Sequence, residues 1–415
     1  MNPTSRSAIV LGLAALGALV FPLALVLALA VALVTATVID ALWVRHAPSV
    51  DRELPVTLAR GRPVRLTIET EARPGTRIDV RQAVPPDLEL SESLGRARLD
   101  TSLVARRRGR HVMPAVAARS TGPLGLGSWY HRPSDDTEVR VLPDMPAAHR
   151  LVETLRRSRY GDAGRRLRGP LGLGTDFESI RDYSPDDDIR QVNWRATSRV
   201  GKPMSNQYRV EQDRDIICVV DSGRLMGAPF GDRTRLDAAV DAVAAVAAVT
   251  NEMDDRCGVV MFDSKILRRV TPARRNARAV IEAIHDVEPS SLDSDYELAF
   301  RIIGGGKRSL VLVFTDLIEE AAARPLLDAV PVLTRRHAVI VVTARDDELT
   351  ELVSSPPAAP LDAYRSAVAL NVMEARARVA LKLRSSGASV IEASPDTLGA
   401  ACVRAYLKAK TTARL

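Results

Sequence analysis

Two apolar runs in the C-terminal half end in aspartate: "IICVVD" closes on Asp221 and "LVLVFTD" on Asp316. Carboxylates that converge at one sheet edge, with hydroxyls beside them, make a hard-cation site of the Mg2+ or Mn2+ kind. Ser222 and Thr315 adjoin them in sequence, and the acidic loop "LDSDY" at 292–296 adds Asp293, Ser294 and Asp295. Divalent-cation binding through Asp221, Ser222, Asp293, Ser294, Asp295 and Asp316 is the first chemical expectation. Other catalytic constellations are missing. The histidines at 46, 111, 131, 149, 285 and 337 never fall in H-E-x-x-H spacing, and no G-x-S-x-G elbow occurs. The chain is expected not to be an enzyme, although a hydrolase using the same carboxylates with a cation stays open.

A second stretch, "YSPDDDIRQVNWRATSR" at 183–199, packs three carboxylates ahead of several basic and amide side chains. Ser184-Pro185-Asp186 is turn chemistry, and the aspartates that follow can cap a helix. Ile189, Val192 and Ala196 then share one helical face, Asp186 and Arg190 are spaced for an i, i+4 pair, and Trp194 is expected to anchor the helix against a neighbouring domain. Its acidic-then-basic surface also suits docking a partner. The hexapeptide "GPLGLG" occurs at 122–127 and again at 169–174. Neither copy is followed by Lys-Ser/Thr, and "GGGK" at 304–307 lacks the first glycine of a phosphate loop, so glycine-dependent backbone turns explain them better.

The elements that must position these residues change in texture along the chain. Residues 7–44 carry one ionisable side chain, Asp40. One bilayer crossing takes about 20 apolar residues, so this run suits two short passes that turn near Gly17, Phe21 and Pro22. Arg6 precedes it and Arg45 and Arg52 follow, which is expected to place both flanks, and the rest of the chain, on the cytoplasmic side. The expected organisation is a membrane anchor over 1–50, a small antiparallel β domain over 51–142, a connecting segment over 143–212, and an α/β domain over 213–410. In the β part Val64, Leu66 and Ile68 alternate with polar residues. From Asp213 onward, continuous apolar runs at 216–221, 257–262, 310–316, 338–344 and 388–393 alternate with Ala- and Leu-rich helical stretches. That is the pattern of a doubly wound parallel sheet covered on both faces.

The 415 residues carry a net charge of +7, with Arg clusters at 96–110 and 156–168. Anionic lipids attract such clusters near a membrane. Few aromatics interleave with them, so nucleic acid is not an expected partner. Cys218, Cys257 and Cys402 form no C-x-x-C pair and sit far apart in sequence, as expected of reduced thiols.

Two resemblances follow from these residues. The aspartate-tipped strands resemble the von Willebrand A domain, whose metal motif runs Asp-x-Ser-x-Ser; here "DSGRL" puts Gly223 and Leu225 where the two serines belong. The motif at 183–199, with "GLGTDFESIRDY" before it and "VVDSGRLM" after it, resembles the domain of unknown function 58 family. Asp176-Phe177, Arg181, Tyr183, Asp187, Asp188, Arg190 and Asn193-Trp194 match that family's pattern, while Asp186-Asp187 stands where Gly-Asp usually follows the proline. The resemblance implies a membrane-anchored adaptor or co-chaperone that works with a MoxR-type AAA+ ATPase in assembling or maturing protein complexes. The acidic-then-basic surface then suits docking of that ATPase through Arg181, Tyr183, Asp187, Asp188, Arg190, Asn193 and Trp194. The alternative is a metal-dependent receptor for a protein ligand.

Overall fold

The computed structural model describes residues 2–157 except 18 and 20, then 171–172, 176–184, 187–209, 215–231, 233–317 and 320–411. They form two compact units, Met1–Leu142 and Pro143–Leu415.

In the first unit the N-terminal apolar run breaks where its glycine and proline stand, giving helix α1 (Ser5–Gly17) and helix α2 (Leu23–Trp43). At 1.5 Å per residue the 21 residues of α2 span about 31 Å, the thickness of a bilayer's hydrocarbon core. Among the described residues α2 is the one helix long and apolar enough to cross a membrane. With 13 residues, α1 is shorter than the even two-pass division expects.

Both helices end at one loop, the first copy of the glycine hexapeptide. Thr4 donates its backbone N–H to the Leu126 carbonyl at 3.0 Å and its hydroxyl to the Gly125 carbonyl at 2.7 Å. From the other helix, the Asp40 carboxylate accepts the backbone N–H groups of Leu124, Leu126 and Gly127 at 2.9, 2.8 and 2.9 Å. Successive amides turned inward form a concave anion cradle, and here its anion is the protein's own carboxylate. A side chain at Gly127 would lie 2.5 Å from the Ala41 nitrogen, so the loop needs glycine for close approach to α2. The second copy, 169–174, lies largely outside the described residues.

The β part has a nine-stranded sheet and a three-stranded sheet that share one core. Leu66 and Ile68 on Pro63–Glu71, Ile78 and Val80 on Arg77–Arg81, and Leu99 and Leu103 on Arg98–Ala105 alternate inward. Arg65, Glu69, Arg81 and Asp100 beside them are exposed, as the period of two requires, while Thr67 is buried as well.

The second unit centres on a six-stranded sheet, in spatial order Ile266–Arg274, Arg256–Phe262, Asp215–Asp221, Ser309–Phe314, Ala338–Ala344, Ser389–Ala393. Five strands are parallel; the edge strand Ile266–Arg274 is antiparallel to its neighbour. Alternate side chains feed two cores. Ile216, Cys218 and Val220 face the helices Met145–Arg157, Arg235–Glu252, Ala277–Ile284 and Pro395–Thr411. Val219, Val311 and Val341 face Tyr296–Gly304, Glu320–Thr334 and Pro360–Ser385. The chain is thus mixed α/β. Cys218, Cys257 and Cys402 are free and buried, and burial pushes the Cys402 thiol up to about 12, where it is inert.

Candidate functional site

In an open parallel sheet, ligands approach the carboxyl ends of the strands where the chain reverses direction across the sheet. That reversal flanks Asp215–Asp221, which has Arg256–Phe262 on one side and the later strand Ser309–Phe314 on the other. Asp221 and Asp316 lie there, 2% and 4% exposed.

Both carboxylates are already engaged by the protein. One Asp221 oxygen accepts the Gly223 N–H at 2.8 Å and the Ser294 hydroxyl. The other accepts the Tyr296 hydroxyl at 2.6 Å and the Thr315 hydroxyl at 2.8 Å. Burial, with the Asp221 charge beside it, holds the Tyr296 hydroxyl well above the usual phenol range, so it stays a donor. Around Asp316 the counter-charge is arginine. Arg235 approaches from the first residue of Arg235–Glu252, with Nη1 3.2 Å from one oxygen and Nε 3.2 Å from the other. Arg376, on Pro360–Ser385, brings Nη2 to 3.6 Å. Burial pushes the Asp316 carboxyl up, and the two guanidiniums pull it back down.

This arrangement does not fit a Mg2+ or Mn2+ ion. A hard cation needs oxygens with free lone pairs in its coordination sphere. Here hydroxyls point their protons at Asp221, and two guanidiniums occupy the charge-compensating position at Asp316. Of the other expected ligands, Ser222 gives its hydroxyl to the Phe262 carbonyl at 2.8 Å. Asp293 is 83% exposed and paired with Arg224 at 3.1 Å, and Asp295 caps the helix Tyr296–Gly304 by accepting the Leu298 N–H at 2.9 Å. A serine at 223, as the metal motif has it, would put its Cβ 2.2 Å from the Ser294 Oγ. Of the six expected ligands the structure brings Asp221 and Ser294 together in a hydrogen-bonded cluster with Tyr296 and Thr315, and it sets Asp316 beside Arg235 and Arg376 instead.

The motif at 183–199 forms its own small scaffold. Asp176–Asp182 pairs antiparallel with Met204–Arg209. The Asp187 carboxylate accepts the Ser184 N–H at 2.9 Å and pairs with Arg181, which closes the turn. The helix begins later than expected, at Trp194–Val200, and its cap is Asn193, whose side chain accepts the Ala196 N–H at 2.9 Å. Asn193 also donates to Asn206 on the strand behind, at 2.7 Å. Trp194 is not an anchor: it is 70% exposed, as is Ile189, with Val200 at 53%. The single apolar face fails because Ile189–Gln191 is a 3-10 turn, which breaks the 3.6-residue period. Tyr183 is half-buried and Asp188 exposed; Asp186 and the Arg190 side chain lie outside the described residues.

Residues 179–384 match the family described as "Protein of unknown function DUF58". The chain carries a DUF58 domain. Uncharacterized proteins Mb1516 of Mycobacterium bovis and Rv1480 of Mycobacterium tuberculosis are each 24% identical to it over 223 residues, covering 51% of this chain and 68% of theirs. Among solved structures, a superoxide reductase (neelaredoxin) from Ignicoccus hospitalis is 12% identical over 26% of this chain and 90% of its own. Its TM-score is 0.16. The DUF58 span takes in both the motif from Ser179 and the whole buried network, since Asp221, Arg235, Tyr296, Asp316 and Arg376 all fall inside it.

Sequence reasoning overlooked Arg235, Arg376 and Tyr296. Arg235 carried a signal. A cation at the first residue of a helix opposes the helix dipole, so Arg235 at the head of an Ala-rich buried helix calls for a carboxylate partner.

Proposed function

We propose that this chain is a membrane-anchored, non-enzymatic adaptor that works with a MoxR-type AAA+ ATPase in assembling or maturing protein complexes. The observation that carries the reading is the exposure of Trp194 and Ile189, each 70%, on a turn held by internal hydrogen bonds. Large apolar side chains on a preorganised scaffold, with exposed Arg181, Asp188, Arg195 and Arg199 on the same segment, have the composition of an interaction hot spot and its charged surroundings. The engaged carboxylates at the sheet end favour a binding role over hydrolysis. The position of Asp221 beside the strand reversal supports a von Willebrand A-like reading of the sheet, in which the metal has been given up.

The length of α2, with Arg6 before α1 and Arg45 after α2, supports anchoring in the bacterial inner membrane with the soluble parts in the cytoplasm. Reporter fusions at the C-terminus test the orientation. The adaptor reading is tested by crosslinking the tagged, membrane-embedded chain in its own cells, with and without ATP. Nucleotide-dependent recovery of an AAA+ ATPase that Trp194→Ala abolishes is the expected result. Recovery of no ATPase from intact membranes would overturn it.

A further inference from the structure

The β part of the first unit carries a cavity of about 700 Å3 on the outward face of its larger sheet. Strand register fixes what lines it. Asp79 stands opposite both Arg96 and Arg119, Arg119 opposite Tyr130, and Arg81 opposite Leu94. Residues directly opposed on neighbouring strands share a face. Ile78 and Val80 point the other way, into the core. Three guanidiniums and one carboxylate therefore face one hollow, for a net charge of +2. Arg96 lies 4.0 Å from Asp79 with both exposed, a weak pairing. Arg119 stacks over the Tyr130 ring at 5.7 Å, and its buried Nε has no hydrogen-bond partner among the described residues. Tyr130 and Leu94 are 58% and 64% exposed.

The hollow's depth relative to α2 is also fixed. Tyr130 lies on Gly127–His131, the strand that runs beside the end of α2. Gly127 meets Ala41 at one end, and the His131 ring contacts the Val44 carbonyl at 3.0 Å at the other. Tyr130 thus sits level with the last turn of α2, where Trp43 is half exposed. Two residues further along, Ser128 pairs with Asn2, where the chain enters α1. That offset is about 7 Å, comparable with the headgroup layer of one leaflet, which is about 5–7 Å thick.

The geometry points to a pocket for the phosphate of an anionic lipid headgroup, drawn from the leaflet that α2 enters. Arg81, Arg96 and Arg119 take the phosphodiester oxygens through planar, multiply donating guanidiniums, and Tyr130 and Leu94 cover the glycerol end. Asp79 rejects a second negative charge and keeps Arg96 turned toward the hollow. The assignment of source rests on α2 being membrane-embedded.

The test is native mass spectrometry of the full chain in a neutral detergent. It is titrated with dihexanoylphosphatidylglycerol, dihexanoylphosphatidylcholine, or inorganic phosphate with glycerol 3-phosphate. Phosphatidylglycerol should bind at least about tenfold more tightly than phosphatidylcholine. Each charge-assisted bond lost to a phosphate weakens binding by at least about fivefold, so R81Q/R119Q should weaken it by at least about 25-fold. R96Q, whose side chain is 93% exposed and threatens no core, should weaken it by at least about fivefold. Equal retention of both lipids, or an unchanged affinity in R96Q and the double variant, would overturn the pocket. Equal binding of inorganic phosphate would make it a soluble-anion site and overturn the lipid assignment. Because these probes are soluble, the result is independent of anchoring, which carbonate extraction of membranes tests separately.

Discussion

The Arg235 guanidinium meets the Asp316 carboxylate at 3.2 Å with 7% and 1% of the two side chains exposed. Arg376 reaches the same carboxylate from a helix on the opposite face of the sheet. One buried anion therefore ties both helical layers to the strand end. Removing one partner of a buried pair leaves an uncompensated charge, at a cost of about 3–5 kcal/mol. Asp316→Ala, which strands two arginines, is expected to lower thermal stability of the full chain by about that much. Arg301→Ala, which breaks an exposed i, i+4 pair with Glu297, should change it by less than about 0.5 kcal/mol. Equal effects from the two variants would show that the buried pair has no special weight.

Restoring the metal motif should harm the protein. In Gly223→Ser the new Cβ meets the Ser294 Oγ at 2.2 Å and the Leu292 carbonyl at 2.9 Å. Overpacking of this kind costs about 1–3 kcal/mol. Ser294→Gly in the same chain removes the nearer clash and should recover part of the loss. Neither variant nor parent should be stabilised by Mg2+ in thermal unfolding; a cation-dependent rise of the parent's midpoint would reverse the reading of the sheet end.

The strands were largely legible because each is a continuous apolar run buried on both faces: the expected 216–221, 257–262 and 338–344 lie within or at Asp215–Asp221, Arg256–Phe262 and Ala338–Ala344. The location of Asp221 and Asp316 at the strand ends was equally legible. What surrounds them was not, because Arg235, Tyr296 and Arg376 come from three helices far apart in sequence, and no local pattern reports a long-range ion pair. The motif at 183–199 was misread for a local reason. Its apolar residues keep helical spacing, but the backbone at Ile189–Gln191 is a 3-10 turn, and Asn193 starts the helix anew. Asp40 was visible as the lone charge of an apolar run; that a glycine loop 84 residues later would cradle it was not.

Alkaline pH should expose the two buried phenols. Tyr296 donates to Asp221 and Tyr406 to Asp255, and burial holds both well above the usual value of 10. Above pH of about 10 the unfolded chain releases these protons while the native chain keeps them. Stability from this source is therefore complete below about pH 10 and declines as pH rises beyond it. Unfolding midpoints measured from pH 8 to 11 should fall less steeply in Tyr296→Phe than in the parent. Parallel curves would show that Tyr296 does not carry the effect.

Trp194 separates folding from recognition. A side chain 70% exposed on a seven-residue helix buries little area on folding, and surface substitutions of that kind usually change stability by less than about 0.5 kcal/mol. Asn193 at the neighbouring position is different, because it caps the helix and bonds Asn206; its loss should cost about 1–2 kcal/mol. If 183–199 is a docking surface, Trp194→Ala should leave the unfolding midpoint in place while reducing ATPase recovery by about tenfold or more, as hot-spot aromatics do. Asn193→Ala should lower both. A Trp194 variant that unfolds early would instead return the side chain to a structural role, and a stable one that still recovers the ATPase in full would move the docking surface elsewhere on the domain.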